Sequence, residues 1–113
     1  MSADVHRRAE VLMGEAERKA TQGYAEAARA LYLAAAQEEA RAYEYVPAPR
    51  ARTRGVIAVS AVALFRRAGA LDEAIRYAHR YLEDALPDFA RAQLDELLAD
   101  SQRAQRAPGR FLG

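Results

Sequence analysis

The two histidines are the side chains of this sequence with the most obvious capacity for acid–base or metal chemistry. His79 has Glu83 one helical turn away, a spacing that allows a surface ion pair. His6 stands beside Arg7 and Arg8, where we expect it to be solvated. Because there is no cysteine and no second histidine near His79, no ligand set for a metal ion can be completed. We therefore predict neither a metal site nor a catalytic histidine.

Carboxylate pairs and glycine-rich loops are the other patterns that carry chemistry in small proteins. Paired acids occur at positions 38–39 and 72–73, but adjacent residues on a helix point in different directions. Gly23 and Gly69 are single glycines that suit helix ends, so the sequence offers no phosphate-binding loop. These observations predict a non-enzymatic protein that needs no cofactor.

Three alternating arginines, Arg50, Arg52 and Arg54, form the strongest candidate for anion contact. They lie where a loop leads into a predicted helix, and guanidinium groups beside free helix N–H groups suit phosphate or carboxylate. Alternatively, these arginines pair with acids of the second or fifth helix within the fold. A net charge of +1 and the lack of interleaved aromatic and basic residues argue against nucleic-acid binding.

Tyrosines are the residues that most favour a binding surface. Tyr77 and Tyr81 lie one turn apart, and Tyr43 and Tyr45 flank the end of another predicted helix. Aromatic rings with a polar tip are enriched where proteins meet. The alternative is structural, because the four rings could close the edges of an alanine-rich core. We predict Tyr77 and Tyr81 as candidate partner-binding residues.

Composition and periodicity predict an all-α protein. The 113 residues include 28 alanines, and no segment alternates polar residues with β-branched ones. Glycines and prolines divide the chain into five helices, which form one domain over residues 1–103 with a flexible tail at 104–113. The helices are predicted at residues 3–20, 24–44, 53–68, 71–85 and 87–103.

The third predicted helix is the most apolar part of the chain. Thr53 is its expected N-cap, and residues 56–65 carry only one hydroxyl among apolar side chains. A helix without a polar face must be covered on most sides, so we expect it at the centre of the domain. The apolar run is about half the length of a membrane span, and no membrane partner is expected.

The segment around Gly69 resembles a tetratricopeptide repeat (TPR), a family of helical hairpins. Ala74 stands at the small position five residues after the glycine, and Phe65 stands where the family carries an aromatic residue. Leu82 matches the closing leucine, and Pro87 lies one residue beyond the terminal proline. The resemblance implies a five-helix, right-handed array of helical hairpins.

An earlier unit around Gly23 carries fewer of the family's residues. Ala27 takes the small position, but Glu17 replaces the aromatic residue of the first helix. In the later unit, Tyr81 replaces the second alanine. The spacing from Ala27 to Ala74 also exceeds the family's repeat of about 34 residues and approaches that of HEAT-type repeats. Either kind of superhelix remains open at this point.

The TPR resemblance implies a non-enzymatic adaptor whose concave face binds a helix or peptide of another protein. Two alternatives stay open. One is an accessory subunit that stabilises a larger enzyme or toxin, and the other is a binder of anions or nucleic acid through the three arginines. The absence of cysteine and of an apolar leader favours the cytoplasm.

Charge falls in blocks that bear on self-association. Residues 50–67 carry five basic groups and no acid, whereas residues 68–100 carry eight acids and three bases. Opposed blocks argue for a homodimer, and Phe111 and Leu112 of the tail offer it an apolar contact. The polar outer face of the fifth helix argues instead for a monomer. Both states remain open.

Overall fold

Five α-helices make up the fold. The computed structural model describes the backbone of residues 2–107 and the side chains of residues 7–107. No strand occurs in this part of the chain, so the predicted all-α class is confirmed. The helices are α1 (Ser2–Thr21), α2 (Ala25–Tyr45), α3 (Ala51–Arg67), α4 (Leu71–Leu82) and α5 (Asp88–Arg106).

The start of α3 differs from the sequence prediction. The helix begins at Ala51 because the amide of Arg54 already donates to the carbonyl of Arg50, at 3.1 Å. Thr53 therefore lies inside the first turn, and the expected N-cap is wrong. Arg50 occupies the cap position without a side-chain hydrogen bond to the helix. Arg52 and Arg54 consequently belong to the helix rather than to the preceding loop.

The last two helices also differ at their ends. α4 stops at Leu82, where the next two amides turn back to carbonyls three residues earlier, and the prediction that it continued to residue 85 is wrong. Pro87 then takes the cap position of α5 in an extended conformation, which suits the residue before a helix. α5 continues to Arg106, three residues beyond the predicted boundary, and Phe111 and Leu112 lie outside the described residues.

Two glycines end helices as predicted. Gly23 has φ 88° and Gly69 has φ 76°, a left-handed conformation that costs glycine little. After α3 the amide of Ala70 donates to the carbonyl of Phe65 at 3.0 Å, and the amide of Gly69 donates to the carbonyl of Arg66 at 3.0 Å. This pair of bonds is the Schellman motif, which satisfies carbonyls that the helix end would leave free.

Gly69→Val is expected to destabilise the fold by about 1–3 kcal/mol, because a β-branched residue is strained at positive φ. Crowding does not contribute, since an added Cβ would meet only the Arg29 Cδ, at 3.5 Å. Gly14→Ala is the control, because Gly14 lies within α1 and its added Cβ would meet only a flexible arginine end. It should be neutral or stabilise by up to about 1 kcal/mol. Equal changes in the free energy of unfolding, measured in urea, would contradict this account of the turn.

α3 is the central helix, as its composition predicts. Consecutive helices pack on one another, and α3 also packs on α5, so α3 contacts α2, α4 and α5. α3 and α5 run parallel, because Gly55 lies beside Ala90 at one end and Arg66 bonds Asp100 at the other. The expectation that α3 is covered on most sides is only partly correct, since Val56 is 50% exposed.

Alanine and a few large rings fill the core. Many alanines of α2, α3 and α4 are fully buried, so the helix axes approach closely. Tyr43 and Tyr81 fill the space that remains between α2 and α4, with ring centroids 4.3 Å apart. In α2, Ala27, which takes the small position of the earlier unit, is exposed, whereas the neighbouring Ala28 is buried.

Candidate functional site

The uncovered side of α3 forms a groove with α5. The N-terminal ends of the two helices are pressed together at Gly55, where an added Cβ would stand 2.9 Å from the Ala90 Cβ and 3.3 Å from the Pro87 Cδ. Further along, the Arg66 Nε donates to Asp100 Oδ2 at 2.8 Å. These two contacts join the helices on either side of the groove, one near the N-terminal ends and one near the C-terminal end of α3.

Apolar side chains form much of this groove. Its volume is about 580 Å³, and Val59, Ala63 and Leu97 contribute the apolar lining. Val56, which is 50% exposed, and Phe89, which is 36% exposed, extend the apolar surface toward the N-terminal ends of the helices. The remaining residues that line the groove are Gln93, Glu96, Ala99, Asp100 and Arg103. We call the surface that includes the groove, Val56, Phe89 and Arg52 the α3–α5 face.

Charged groups stand at separate places on the α3–α5 face. Arg52 lies near its N-terminal end, with the guanidinium carbon 5.6 Å from the centroid of the Phe89 ring. Glu96 lies further along α5 and is exposed. Neither residue forms an ion pair with another described residue, whereas Asp100 is engaged by Arg66 and by Arg103. Arg52 and Glu96 therefore keep their charges available to a partner.

The three predicted anion-binding arginines have different surroundings. Arg54 is bound within the fold, where its guanidinium is 3.2 Å from Asp84 Oδ2 and stacks over the Tyr43 ring at 4.4 Å. Arg52 lies over Phe89, and Arg50 is exposed at the helix cap. Internal pairing was the alternative that the sequence left open. Arg54 follows it, although its partner lies in the α4–α5 connection rather than in the second or fifth helix.

Asp84 is the centre of a polar cluster that sequence reasoning missed. The Tyr43 hydroxyl donates to its Oδ2 at 2.5 Å, and guanidinium groups of Arg54 and Arg80 approach the same oxygen at 3.2 and 3.3 Å. Burial and the bond to Asp84 raise the pKa of the Tyr43 hydroxyl, so it remains a neutral donor. The cluster ties α2 and α3 to the α4–α5 connection. Nothing in the local sequence around Asp84 signals this, because its partners lie up to 41 residues away.

Asp84 gives a pH-dependent contribution to stability. The Tyr43 hydroxyl bond, with help from Arg54 and Arg80, lowers the pKa of Asp84 below its usual value. Because the pKa of Asp84 is lower in the folded state, its ionised form stabilises the fold at any pH above the unfolded-state pKa of about 3.9. This contribution disappears as the pH falls through the folded-state pKa. Asp84→Asn should cost roughly 1–3 kcal/mol at neutral pH, because it weakens the bonds to the partly buried Arg54 and to the exposed Arg80.

Urea unfolding of the wild type and of Asp84→Asn from neutral pH to below pH about 3 measures this effect. The difference in free energy of unfolding should narrow in acid. Asp95→Asn is the control, since Asp95 is exposed on α5 and forms no ion pair with a described residue. A difference for Asp84→Asn that stays constant with pH would show that the lost charge is not its cause.

The two predicted tyrosines have different accessibility. Tyr81 is 1% exposed, and no described residue forms a hydrogen bond with its hydroxyl, so its prediction as a partner-binding residue is wrong. Its ring fills the space beside Tyr43 because the alanine-rich helices leave a gap there. Tyr77 is half-buried, stacks on Phe65 at 4.9 Å and lines a second groove between α2 and α4. Arg76 lies over the Tyr77 ring at 4.8 Å.

The described part of the chain carries neither a metal-binding cluster nor a membrane span. Residues 7–107 contain no group of three or more histidine and carboxylate side chains that could hold a metal ion. No helix within residues 2–107 combines the length and the apolar character that crossing a bilayer requires. Comparison of the chain with protein-family models, with curated proteins and with solved structures finds no match.

Proposed function

We propose that this chain is a non-enzymatic, TPR-like protein–protein interaction module whose α3–α5 face binds an α-helix of a partner protein. The observation that carries the proposal is the open apolar side of the central helix. Val56, Val59 and Ala63 lie on α3 beside Leu97 of α5, and no other described helix covers them completely. Apolar surface that stays exposed within a groove is typical of a binding site.

The dimensions of the face suit a helix. From Phe89 to Arg103 the groove follows α5 for about 21 Å, which corresponds to four turns of a partner helix. Such a helix would place residues spaced three and four apart along the apolar lining, as in other helix-in-groove complexes. Gln93, Glu96 and Arg103 at the margin can bind its polar flanks.

The register between α3 and α5 supports the TPR-like part of the proposal. Gly55 lies beside Ala90, 35 residues later, and Arg66 bonds Asp100, 34 residues later. A repeat of about 34 residues is that of the TPR family. The longer spacing between the two glycine-hinged units arises from the long α2 and the proline-containing connection, and α3, α4 and α5 keep the shorter period.

The absence of cysteine permits a direct test of this function. A photoreactive maleimide is attached to Ala63→Cys in the groove, and to Ala27→Cys on the exposed side of α2 as the control. Irradiation in a lysate of the source organism should yield a discrete adduct with a protein other than this chain from position 63 and not from position 27. Addition of Val56→Asp to the Ala63→Cys chain should abolish that adduct, whereas addition of Val11→Asp, on exposed α1, should not.

Two results would contradict the proposed function. Adducts of equal yield from positions 63 and 27 would show that capture is not specific to the groove. An adduct that survives Val56→Asp would place the contact elsewhere. The alternative of anion binding has less support, because Arg54 is engaged by Asp84. The lack of cysteine fits the reducing cytoplasm in which we place the module.

A further inference from the structure

The α3–α5 face has a charge pattern that is complementary to itself. Arg52 and Glu96 have no ion-pair partner among the described residues, and they flank exposed apolar residues. α3 and α5 are parallel with an offset of 34 to 35 residues, so Glu96 is level with positions 61–62 of α3. Arg52 and Glu96 are thus separated by roughly 14 Å along the helix axes.

The midpoint between the two charges is level with position 57 of α3. Val56, the most exposed apolar residue of the face, stands within one residue of that level, and Phe89 and Val59 lie within about one turn. A two-fold axis that passes through this point, lies in the plane of the face and runs across the helices places the same face of a second copy against it, with the helices antiparallel. Arg52 of each copy then lies at the same height along the helix axes as Glu96 of the other copy.

We propose that the α3–α5 face binds the same face of a second copy of this chain. In this homodimer Val56 packs against Val56 of the other copy, and Arg52 of each copy pairs with Glu96 of the other. The two α3 and two α5 helices form an antiparallel four-helix interface. Because the same patch is used twice, the arrangement closes as a dimer and cannot extend into a filament.

The dimer uses the same face as the proposed partner helix, and its consequence for regulation rests on the proposed function. A partner helix and the second copy cannot occupy the face together. Binding of the partner therefore requires dissociation of the dimer, and the concentration of this chain determines how much of the face is free. Asp100 does not compete with Glu96 for Arg52 of the second copy, because Arg66 and Arg103 already engage its carboxylate.

Charge reversal tests the antiparallel pairing with the full chain. Sedimentation equilibrium should show a concentration-dependent dimer for the wild type. Arg52→Glu and Glu96→Arg should each weaken association roughly tenfold or more, because each places like charges together twice. An equimolar mixture of the two variants should associate again, since every charge of one variant then faces its opposite on the other. The double variant should also dimerise.

Asp95→Arg is the matched control, because it makes the same change of charge at the neighbouring exposed position of α5. It should dimerise like the wild type, and thermal unfolding should show that all variants remain folded. A wild type that is monomeric at all concentrations would overturn the inference. So would single variants that dimerise normally, a mixture that fails to associate, or an equal loss for Asp95→Arg.

The failure of this inference can be separated from the failure of the proposed function. A monomeric wild type whose Ala63→Cys adduct is still abolished by Val56→Asp would refute the dimer and support partner binding. A dimer that follows the charge rules, in a chain whose only groove-specific adduct is with a second copy of itself, would support self-association and refute partner binding.

Discussion

Leu64→Asp is expected to abolish cooperative folding. Leu64 is 2% exposed in α3, the helix that contacts three others, so the carboxylate would be buried without a partner. Loss of the leucine side chain costs about 2–5 kcal/mol, and burial of an unpaired carboxylate costs several kcal/mol more. Because a small domain has about 5–15 kcal/mol of stability in total, much of the population should unfold. Thermal unfolding followed by circular dichroism measures the result as loss of a sharp transition.

An aspartate at an exposed position of α3 supplies the control. Val56 lies two turns earlier and is 50% exposed, so Val56→Asp should change the free energy of unfolding by no more than about 0.5 kcal/mol. The measurement is made at low protein concentration, where dimer formation does not contribute. If Leu64→Asp kept a sharp transition near that of Val56→Asp, α3 would not be the central helix.

Local features of the fold could be predicted because local physics determines them. Gly23 and Gly69 end helices in the left-handed conformation that glycine favours, and the residues around them indicate the helices on either side. The apolar run of α3 likewise predicts a central position. Helix ends that depend on residues far away in the sequence could be predicted less well. The end of α4 precedes Asp84, whose bonds to Tyr43 and Arg54 reach 41 and 30 residues back along the chain.

The candidate site was predictable only in part, and for a related reason. Hydropathy shows that α3 lacks a polar face, but it does not show how much of the apolar surface of α3 is covered by other helices. The uncovered side depends on the parallel packing of α5, which in turn requires the close contact at Gly55. Tyrosine type and spacing left a binding surface and the edge of the core both open, and the small alanines of the neighbouring helices leave the space in which Tyr43 and Tyr81 are buried. The small side chains of the neighbouring helices, rather than the tyrosines themselves, determine that the two rings are buried.

Tyr43→Ala is expected to destabilise the fold by about 3–5 kcal/mol, because it removes a fully buried ring from a core with few other large side chains. The ring contacts Tyr81 at a centroid distance of 4.3 Å and lies under the Arg54 guanidinium. Its loss leaves a cavity that rigid helices cannot close. The free energy of unfolding in urea, extrapolated to water, gives the measurement.

Tyr43→Phe separates packing from hydrogen bonding in the same side chain. It keeps the ring and removes only the hydroxyl that donates to Asp84, which retains Arg54 and Arg80 as partners. The cost should be about 1 kcal/mol. Tyr45 lies two residues further along α2 and is 51% exposed. The loss of unfolding free energy in Tyr45→Ala should therefore be several-fold smaller than in Tyr43→Ala. If Tyr43→Phe proved as destabilising as Tyr43→Ala, the polar cluster around Asp84, and not the ring, would hold α2 to the rest of the fold.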